Sequence, residues 1–506
     1  MADTNNKTND FELDLDTPTT SEFMTYYSDK ANMVYKYSDA DSLLEHPEIL
    51  VSMINHHRQN QVPRLKSLDH YYKAENDTIM NRPARKEAGK ADYRIANNFG
   101  KVISSFMVGY MGGNPIQVQD KKDDKIQNVI TEANGTNNAD EENSNLLLDL
   151  SKYGRAYEIL WRDEQDNNRF ALSSVFDTFV IYDTTIEEKP IMAVRYPSLG
   201  FETDGRTMCQ PIVYTADKVI TYSPCSSSEI SLINPQEELH SFGDVPVIEF
   251  KNNRFRRGDY EDVIPLIDAY DAAESDTSNY MYDFNDAMLW INGDWTTNGM
   301  SADDMIRLKK ANILATTDAT SPQGTRYPTT AQYLYKQYDV NGTEAHKKRL
   351  VDDIHKISCV PDLTDENFAG TQSGESLKYK LLGLDQVVGI KSRMFEKGLL
   401  RRYKLILSLS NTVQELSQVD SSNIEITFNY NLPKAINDDL TAYIGAGGRI
   451  SEQTLMALFP ELISNPDAEM KAVKDEEPAM NFMSQEQTTQ QQEESRAKKK
   501  AEPRKK

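Results

Sequence analysis

Asp362, Glu375 and Lys378 stand within a short stretch, and carboxylates beside a lysine are the side chains that metal-dependent phosphodiester cleavage uses. The spacing is poor for such a centre, because two residues separate Glu375 from Lys378. A solvated acidic loop has the same composition. Other chemistries fail more plainly. Gly100-Lys101 is preceded by Ile95 where a phosphate-cradling loop needs its first glycine, and followed by Val102 where it needs a hydroxyl. Ser373, in Gly370-Thr371-Gln372-Ser373-Gly374, lacks the spacing of a hydrolase elbow. The glycines of Gly445-Ala446-Gly447-Gly448 follow a helical pattern and read as a helix–helix turn. Neighbours on a helix point about 100° apart, so His56 and His57 do not converge on one ion, and His346 and His355, nine apart, diverge as well. Cys209, Cys225 and Cys359 form no CxxC pair, and an odd number cannot close a disulfide set, so a reducing compartment is expected. No cofactor and no metal is expected, and the chain does not read as an enzyme. The rival reading is a metal-dependent nucleic-acid-processing enzyme of a mobile element, acting through the 359–380 carboxylates and lysines. It predicts Mg²⁺-dependent cleavage. A monomeric acidic scaffold is a third.

The elements that would position these residues are set by charge and period. The chain has 506 residues, 56 Lys+Arg against 79 Asp+Glu, and a net charge of −23, which argues against gripping nucleic acid over the whole surface. No run of 18 apolar residues suggests a membrane span, and the first residues lack a secretory pattern. Pro265 suits a helix start, and no Pro or Gly follows until Gly293. Leu266, Tyr270, Ala273, Thr277, Tyr280, Phe284, Ala287 and Ile291 recur at alternating four and three, a seam roughly 40 Å long. From 259 to 306 there are twelve acidic residues and no Lys or Arg. Asp268, Asp271, Glu274, Asp276, Asp283 and Asp286 all avoid the seam, so the helix is expected to show an unbalanced negative face.

A second long helix, expected over 376–410, has the opposite sign: Lys378, Lys380, Lys391, Arg393, Lys397, Arg401, Arg402 and Lys404 against Asp385 and Glu396. Leu377, Leu381, Leu384, Val388, Phe395, Leu399 and Ile406 form its apolar stripe, and Gly383, Gly389 and Gly398 are candidate bends. Between the two lie a mixed region (295–340), a helix over 344–357, and a loop carrying Pro361, Asp362, Asp365, Glu366, Asn367, Gly370 and Gly374. Order is expected from Pro47, with helices on either side of Pro63 and an amphipathic helix over 94–110. Short β-branched and aromatic runs over 155–251, separated by turn clusters, predict an antiparallel β region and an α+β fold. Residues 424–430 alternate as a strand, and short helices flank Gly445. The tail ends with seven basic residues and one acidic one over 496–506 and is expected to be disordered.

Several stretches, in this order, resemble the SPP1-like portal family of tailed double-stranded DNA phages: Leu68-Asp69-His70-Tyr71-Tyr72, the run from Ala91 to Phe99, Gly109 to Pro115, Tyr153 to Glu158, Pro246 to Phe250, Leu266 to Tyr270, Val360 to Phe368, then Ser373-Gly374 and Leu377-Lys378-Tyr379-Lys380. Together they cover about 45–465. Glu375-Ser376 departs from the pattern, which has small apolar residues before the helix, and leaves local loop packing open.

The resemblance implies a portal fold: a disordered arm (1–44), an α/β wing (45–258), a first stem helix (259–294), a clip (295–340), a second stem helix (341–358), a tunnel loop (359–375), a tunnel helix (376–412), a strand returning to the wing (413–434), a helical crown (435–480) and a disordered tail (481–506). It further implies a homo-oligomeric ring of about twelve at one capsid vertex in the virion, assembled in the host cytoplasm, with the genome packaged and later ejected through its channel. The partners implied are the terminase, a head–tail adaptor, major capsid and scaffolding proteins, and double-stranded DNA, with no membrane. Lys378, Lys380, Lys391, Arg393 and Lys397 would then touch DNA or pair between subunits, with pairing favoured.

Overall fold

The computed structural model describes residues 29–85, 91–120, 122–201, 207–283, 288–292, 301, 303–304, 306–307, 319–320, 323–328, 330–334, 339–362, 374–414, 423–430, 445, 456, 469–471 and 473. Structure begins well before Pro47. Strand β1 (Tyr35–Lys36) runs parallel to a later strand, and Tyr35 and Leu43 are buried, Leu43 completely. The arm expected over 1–44 is therefore built into the core from Asp29 onward; the expected tail and crown lie almost wholly outside the described residues.

Helix α1 (Pro47–His56) passes through a π-helical turn (His57–Gln61) directly into α2 (Val62–Lys73). The break expected at Pro63 is absent. A proline ring clashes with the carbonyl four residues back, and the wider π turn falls just where that clash would arise. Helix α3 (Phe99–Gly112) follows, capped by the Asn98 side chain, which accepts from the Lys101 N–H at 3.3 Å. Then come strand β2 (Gln117–Asp120) and helices α4 (Asp124–Thr136) and α5 (Ala139–Tyr153). Gly154, at φ 78°, ends α5, where only a residue tolerant of the left-handed region fits.

The β region has the expected antiparallel character. One sheet has the order β1–β5–β6–β9–β10–β12, with β5 (Thr178–Tyr182), β6 (Pro190–Arg195), β9 (Ile212–Tyr214), β10 (Lys218–Thr221) and β12 (Gln236–Leu239). A second is β13–β3–β4, with β3 (Arg155–Arg162), β4 (Asn168–Ser173) and β13 (Val247–Lys251). A third, small sheet is β11–β8–β7, with β7 (Ser198–Phe201), β8 (Thr207–Cys209) and β11 (Cys225–Ser226). All five residues of β5 are buried, and none is charged, as for a strand covered on both faces.

Helix α6 (Ile264–Asp283) ends eight residues short of the expected seam, and β14 (Met288–Asn292) pairs antiparallel with β17 (Thr330–Leu334). The run Met288-Leu289-Trp290-Ile291 is apolar enough for either state, and the cross-strand partner decides it as a strand. A two-residue ladder joins β15 (Ala319–Thr320) and β16 (Arg326–Tyr327). Helix α7 (Val340–Ser358) packs against α6, and helix α8 (Gly374–Gln414) runs through the molecule as expected. Leu381, Leu384, Val388, Phe395, Leu399 and Ile406 of α8 are buried. Strand β18 (Ile424–Thr427) returns to pair with β2. Gly398 is a contact point, since a methyl there would overlap the buried Phe250 ring, while Gly383 and Gly389 have open space beside them.

Two hydrophobic clusters result. The larger joins α2 to α5, the β13–β3–β4 sheet, the start of α6 and α8. The smaller joins α1, β5, β6, β9 and the small sheet.

Candidate functional site

The region of interest is the junction where α6, α7 and α8 leave the β region. The start of α6 is anchored by ion pairs taken out of water. Arg64 on α2 makes a two-pronged pair with Glu261 at 2.6 and 2.7 Å, both side chains buried. Lys391 on α8 reaches Asp259 at 2.6 Å, also buried. Deeper in α8, Arg402 pairs with Glu158 of β3 at 2.6 and 2.8 Å, donates to Asn143 at 2.9 Å and lies over the Phe170 ring. These three contacts join α8, α2 and β3 to the root of α6.

Along α6 the buried stripe is Ile264, Ile267, Asp271, Ser275 and Asn279, so the face turned inward is polar beyond its first turn. An extended segment, Ala91–Asn98 in sequence, lies against it. Tyr93 donates its N–H to Asn279 Oδ1 at 2.7 Å, and Asn279 Nδ2 donates back to Tyr93 O at 3.3 Å. Ile95 N–H donates to Ser275 Oγ at 2.9 Å. Asn97 donates to Asp271 Oδ1 from its backbone N–H at 2.8 Å and from Nδ2 at 2.9 Å, and buried Asn76 donates to Asp271 Oδ2. Side chains of α6 thus supply the hydrogen-bond partners that a neighbouring strand would supply, which satisfies an extended backbone outside any sheet. The helix expected from Arg94 starts only at Phe99 for this reason: the backbone of 93–97 is already bonded elsewhere.

The expected acidic surface is largely neutralised within the chain. Asp268 accepts from Tyr71 at 2.6 Å and Thr78 at 2.9 Å. Glu274 takes Lys347 of α7 at 3.0 Å, and Asp276 takes Arg82 at 3.1 Å. The unbalanced negative face read from composition is therefore corrected for Asp268, Asp271, Glu274 and Asp276; the side chain of Asp283 and all of Asp286 lie outside the described residues. Burial raises the Asp268 carboxyl to about 6, with Asp271 and Asp77 adding to it against the Tyr71 and Thr78 hydrogen bonds. Burial likewise raises Asp271, opposed by its Asn76 and Asn97 bonds.

Of the seam, Leu266, Tyr270, Ala273, Thr277 and Tyr280 are half-buried and flank the polar stripe. Tyr270 meets the Phe99 ring edge-on at 5.3 Å. Phe284 and Ala287 fall outside the described residues, and Ile291 belongs to β14.

Of the basic residues, Lys391 is buried and committed to Asp259 of its own chain, which removes it from any channel or subunit contact. Arg393 and Lys397 are exposed on α8. Lys378 and Lys380 lie in α8 with side chains outside the described set, Gly374 opens that helix, and Pro361 and Asp362 are half-buried after α7. Asp365, Glu366, Asn367 and Gly370 lie outside the described residues. The signal that composition missed is the polar repeat Asp271, Ser275, Asn279 at four-residue spacing, opposite alternate residues 93, 95 and 97.

Among the described residues no group of His, Cys, Asp and Glu side chains is positioned to hold a metal, and no helix is long and apolar enough to cross a membrane. His56 turns to Tyr35 at 3.0 Å and buried His57 to Tyr196 at 2.5 Å; burial lowers the His57 ring to about 3. Both have core partners.

Residues 52–481 match the family described as phage portal protein, SPP1 Gp6-like. The portal protein of Clostridium phage phiCD119 is 22% identical over 442 residues, covering 81% of this chain and 92% of the relative. The portal protein of Bacillus phage SPP1 is 21% identical over 469 residues, covering 85% and 86%. Among solved structures, a chain of the neck of a native gene transfer agent particle, computed with C12 symmetry, is similar at TM-score 0.42 and 12% identity, covering 78% of this chain and 92% of that one. A chain of the neck of the empty particle is similar at TM-score 0.41 and 13% identity, covering 76% and 93%.

Proposed function

The chain belongs to the SPP1 Gp6-like phage portal protein family, and from that premise we propose that about twelve copies close into a ring at one capsid vertex, with double-stranded DNA passing through the channel. The family is structural and not catalytic, and the role proposed here is the same: a conduit for packaging and ejection, and a platform for connectors. In this assignment residues 45–258 form the wing, with 29–44 added to it. Helices α6 and α7 form the stem. The clip begins at β14, earlier than residue 295, and includes the β14–β17 ladder. The 359–375 loop faces the channel, α8 lies below it, and 435–480 form the crown. The terminase and later a head–tail adaptor would meet the clip, with capsid and scaffolding proteins around the wing. Assembly would take place in the host cytoplasm before the ring becomes part of the virion.

The observation that carries this reading is the match across 52–481, which spans every one of these segments up to the tail. The helix pair α6–α7 followed by a loop and the long α8 is the order the reading requires. Because Lys391 is engaged within its own subunit, the contacts proposed for the basic helix fall to Lys378, Lys380, Arg393 and Lys397. Negative-stain imaging with mass photometry of the purified chain tests the ring. Closed rings of about a dozen subunits with a central hole are expected; a 57.6 kDa monomer at every salt concentration would overturn the proposal. Lys378→Glu with Lys380→Glu is then expected to impair DNA packaging or retention while rings still form. Loss of the rings themselves would assign these lysines to subunit pairing.

A further inference from the structure

Cys209 and Cys225 have no part in the channel reading, yet the fold sets them face to face. Cys209 ends β8 and Cys225 opens β11, and the two are partners in that antiparallel ladder. Two residues along, Ser227 N–H donates to Thr207 O at 2.9 Å. Pairs alternate along such a ladder, so the cysteines occupy the same hydrogen-bonded class, in which Cα atoms stand ~5.5 Å apart. That separation is also the common one across a disulfide, ~5.5–6 Å. The Sγ atoms are 3.8 Å apart and both thiols are free. Two small apolar side chains filling a core need no such register. Both are buried, Cys209 at 2% exposure and Cys225 at 6%, inside the smaller hydrophobic cluster.

We propose that Cys209 and Cys225 are an oxidation site, a reversible disulfide that staples the small sheet closed. The oxidant is a low-molecular-weight disulfide such as oxidised glutathione. One cysteine, as thiolate, attacks a glutathione sulfur, forming a mixed disulfide and releasing one glutathione thiolate. The second cysteine loses its proton and displaces the other glutathione, forming the Sγ–Sγ bond. Two protein S–H bonds are lost and two glutathione thiols are produced, so electrons and protons balance.

Burial first, and then the neighbouring Cys225, push the Cys209 thiol up to about 11. Thiolate is scarce near neutral pH, and the folded pair resists casual oxidation. Access comes through β11, a two-residue strand at the edge of its sheet, followed by exposed Ser228 and Glu229. Short edge elements open at small cost. Once formed, the bond closes a loop that contains β9 and β10 of the six-stranded sheet, so it ties two sheets of the β region together. Its timing rests on the function proposed above, because a released particle leaves the reducing cytoplasm for oxidising medium. The chemistry does not.

The test uses the full-length chain carrying Cys359→Ser, which leaves the pair as the only thiols. The folded protein is treated with oxidised glutathione, then denatured for thiol counting and peptide mass mapping. Loss of both thiols without a glutathione adduct, a linked 209–225 peptide, and recovery of both thiols with reductant are expected. Adding Cys225→Ala should leave a single glutathione adduct on Cys209. Two retained thiols, or one glutathione on each cysteine, in the folded Cys359→Ser protein would overturn the proposal. Ring formation, read on the same sample, reports separately on the channel assignment.

Discussion

Asp271→Ala should loosen the hold of α6 on the extended segment without touching either hydrophobic cluster. The carboxylate accepts three donors: the Asn97 N–H, Asn97 Nδ2 and Asn76 Nδ2. Asn76 is fully buried, so its donor finds no water when the acceptor goes, at a cost of ~1–3 kcal/mol. Asn97 is half-buried and recovers part of its loss from solvent, so its two bonds to a charged group cost ~1–3 kcal/mol more. Against this, burial outweighs all three donors in raising the Asp271 carboxyl, so deleting it also removes a desolvation cost. The net expectation is ~2–4 kcal/mol, read as a fall in urea midpoint at unchanged slope. The same loss should appear locally, as amide exchange at Asn97, Ile95 and Tyr93 accelerated roughly 30- to 1000-fold, since ~1.4 kcal/mol is a factor of ten. Asp271→Asn keeps one acceptor for the Asn97 N–H and should fall between the two. An alanine variant within ~0.5 kcal/mol of the parent, with exchange at 93–97 unchanged, would refute the claim that side chains of α6 hold that segment.

Three further outcomes are expected. The folded state holds a proton on Asp268 up to about 6, above the ordinary carboxylate range. The stability it lends is therefore complete below about pH 4 and lost as pH rises towards 6; Asp268→Asn should flatten urea midpoints over that window by at most ~2–3 kcal/mol. Gly398→Ala drives a methyl into the buried Phe250 ring and should cost ~1–3 kcal/mol, with Phe250→Leu restoring part of it; no rescue would mean that the helix itself is disturbed. Arg402→Met strands Glu158 at a wholly buried site and should cost ~3–5 kcal/mol, whereas Arg402→Met with Glu158→Leu should recover most of that, measured as a double-mutant cycle.

The long helices and the β region were legible because their period and composition point one way. The buried stripe of α8 follows its leucines, and β5 its unbroken apolar run. The polar face of α6 was not legible, because the hydrophobic seam through Leu266 and Tyr270 is the stronger pattern, while Asp271, Ser275 and Asn279 read as solvent-facing. Their burial depends on a segment about 180 residues earlier in the chain, as in the Ile95–Ser275 contact. Composition also misjudged the charge. The segment after Asp259 has no cation of its own, and Arg64, Arg82, Lys347 and Lys391 reach it from four other parts of the chain. The family resemblance was legible for a related reason: Tyr71, Asn97 and Asp268 fall in the quoted stretches and lie at this same junction.

The match between the extended segment and α6 works as a vernier. Two residues of extended chain advance ~6.6–6.8 Å, and four residues of α-helix advance ~6.0 Å. Rungs at 97–271, 95–275 and 93–279 therefore slip by ~0.6–0.8 Å at each step, reaching ~1.2–1.6 Å over two steps. A fourth rung would be ~2 Å out of register, beyond what a hydrogen bond tolerates. Such a clasp limits its own length. It fastens the first four turns of a helix and leaves the remainder to be positioned by whatever meets it next.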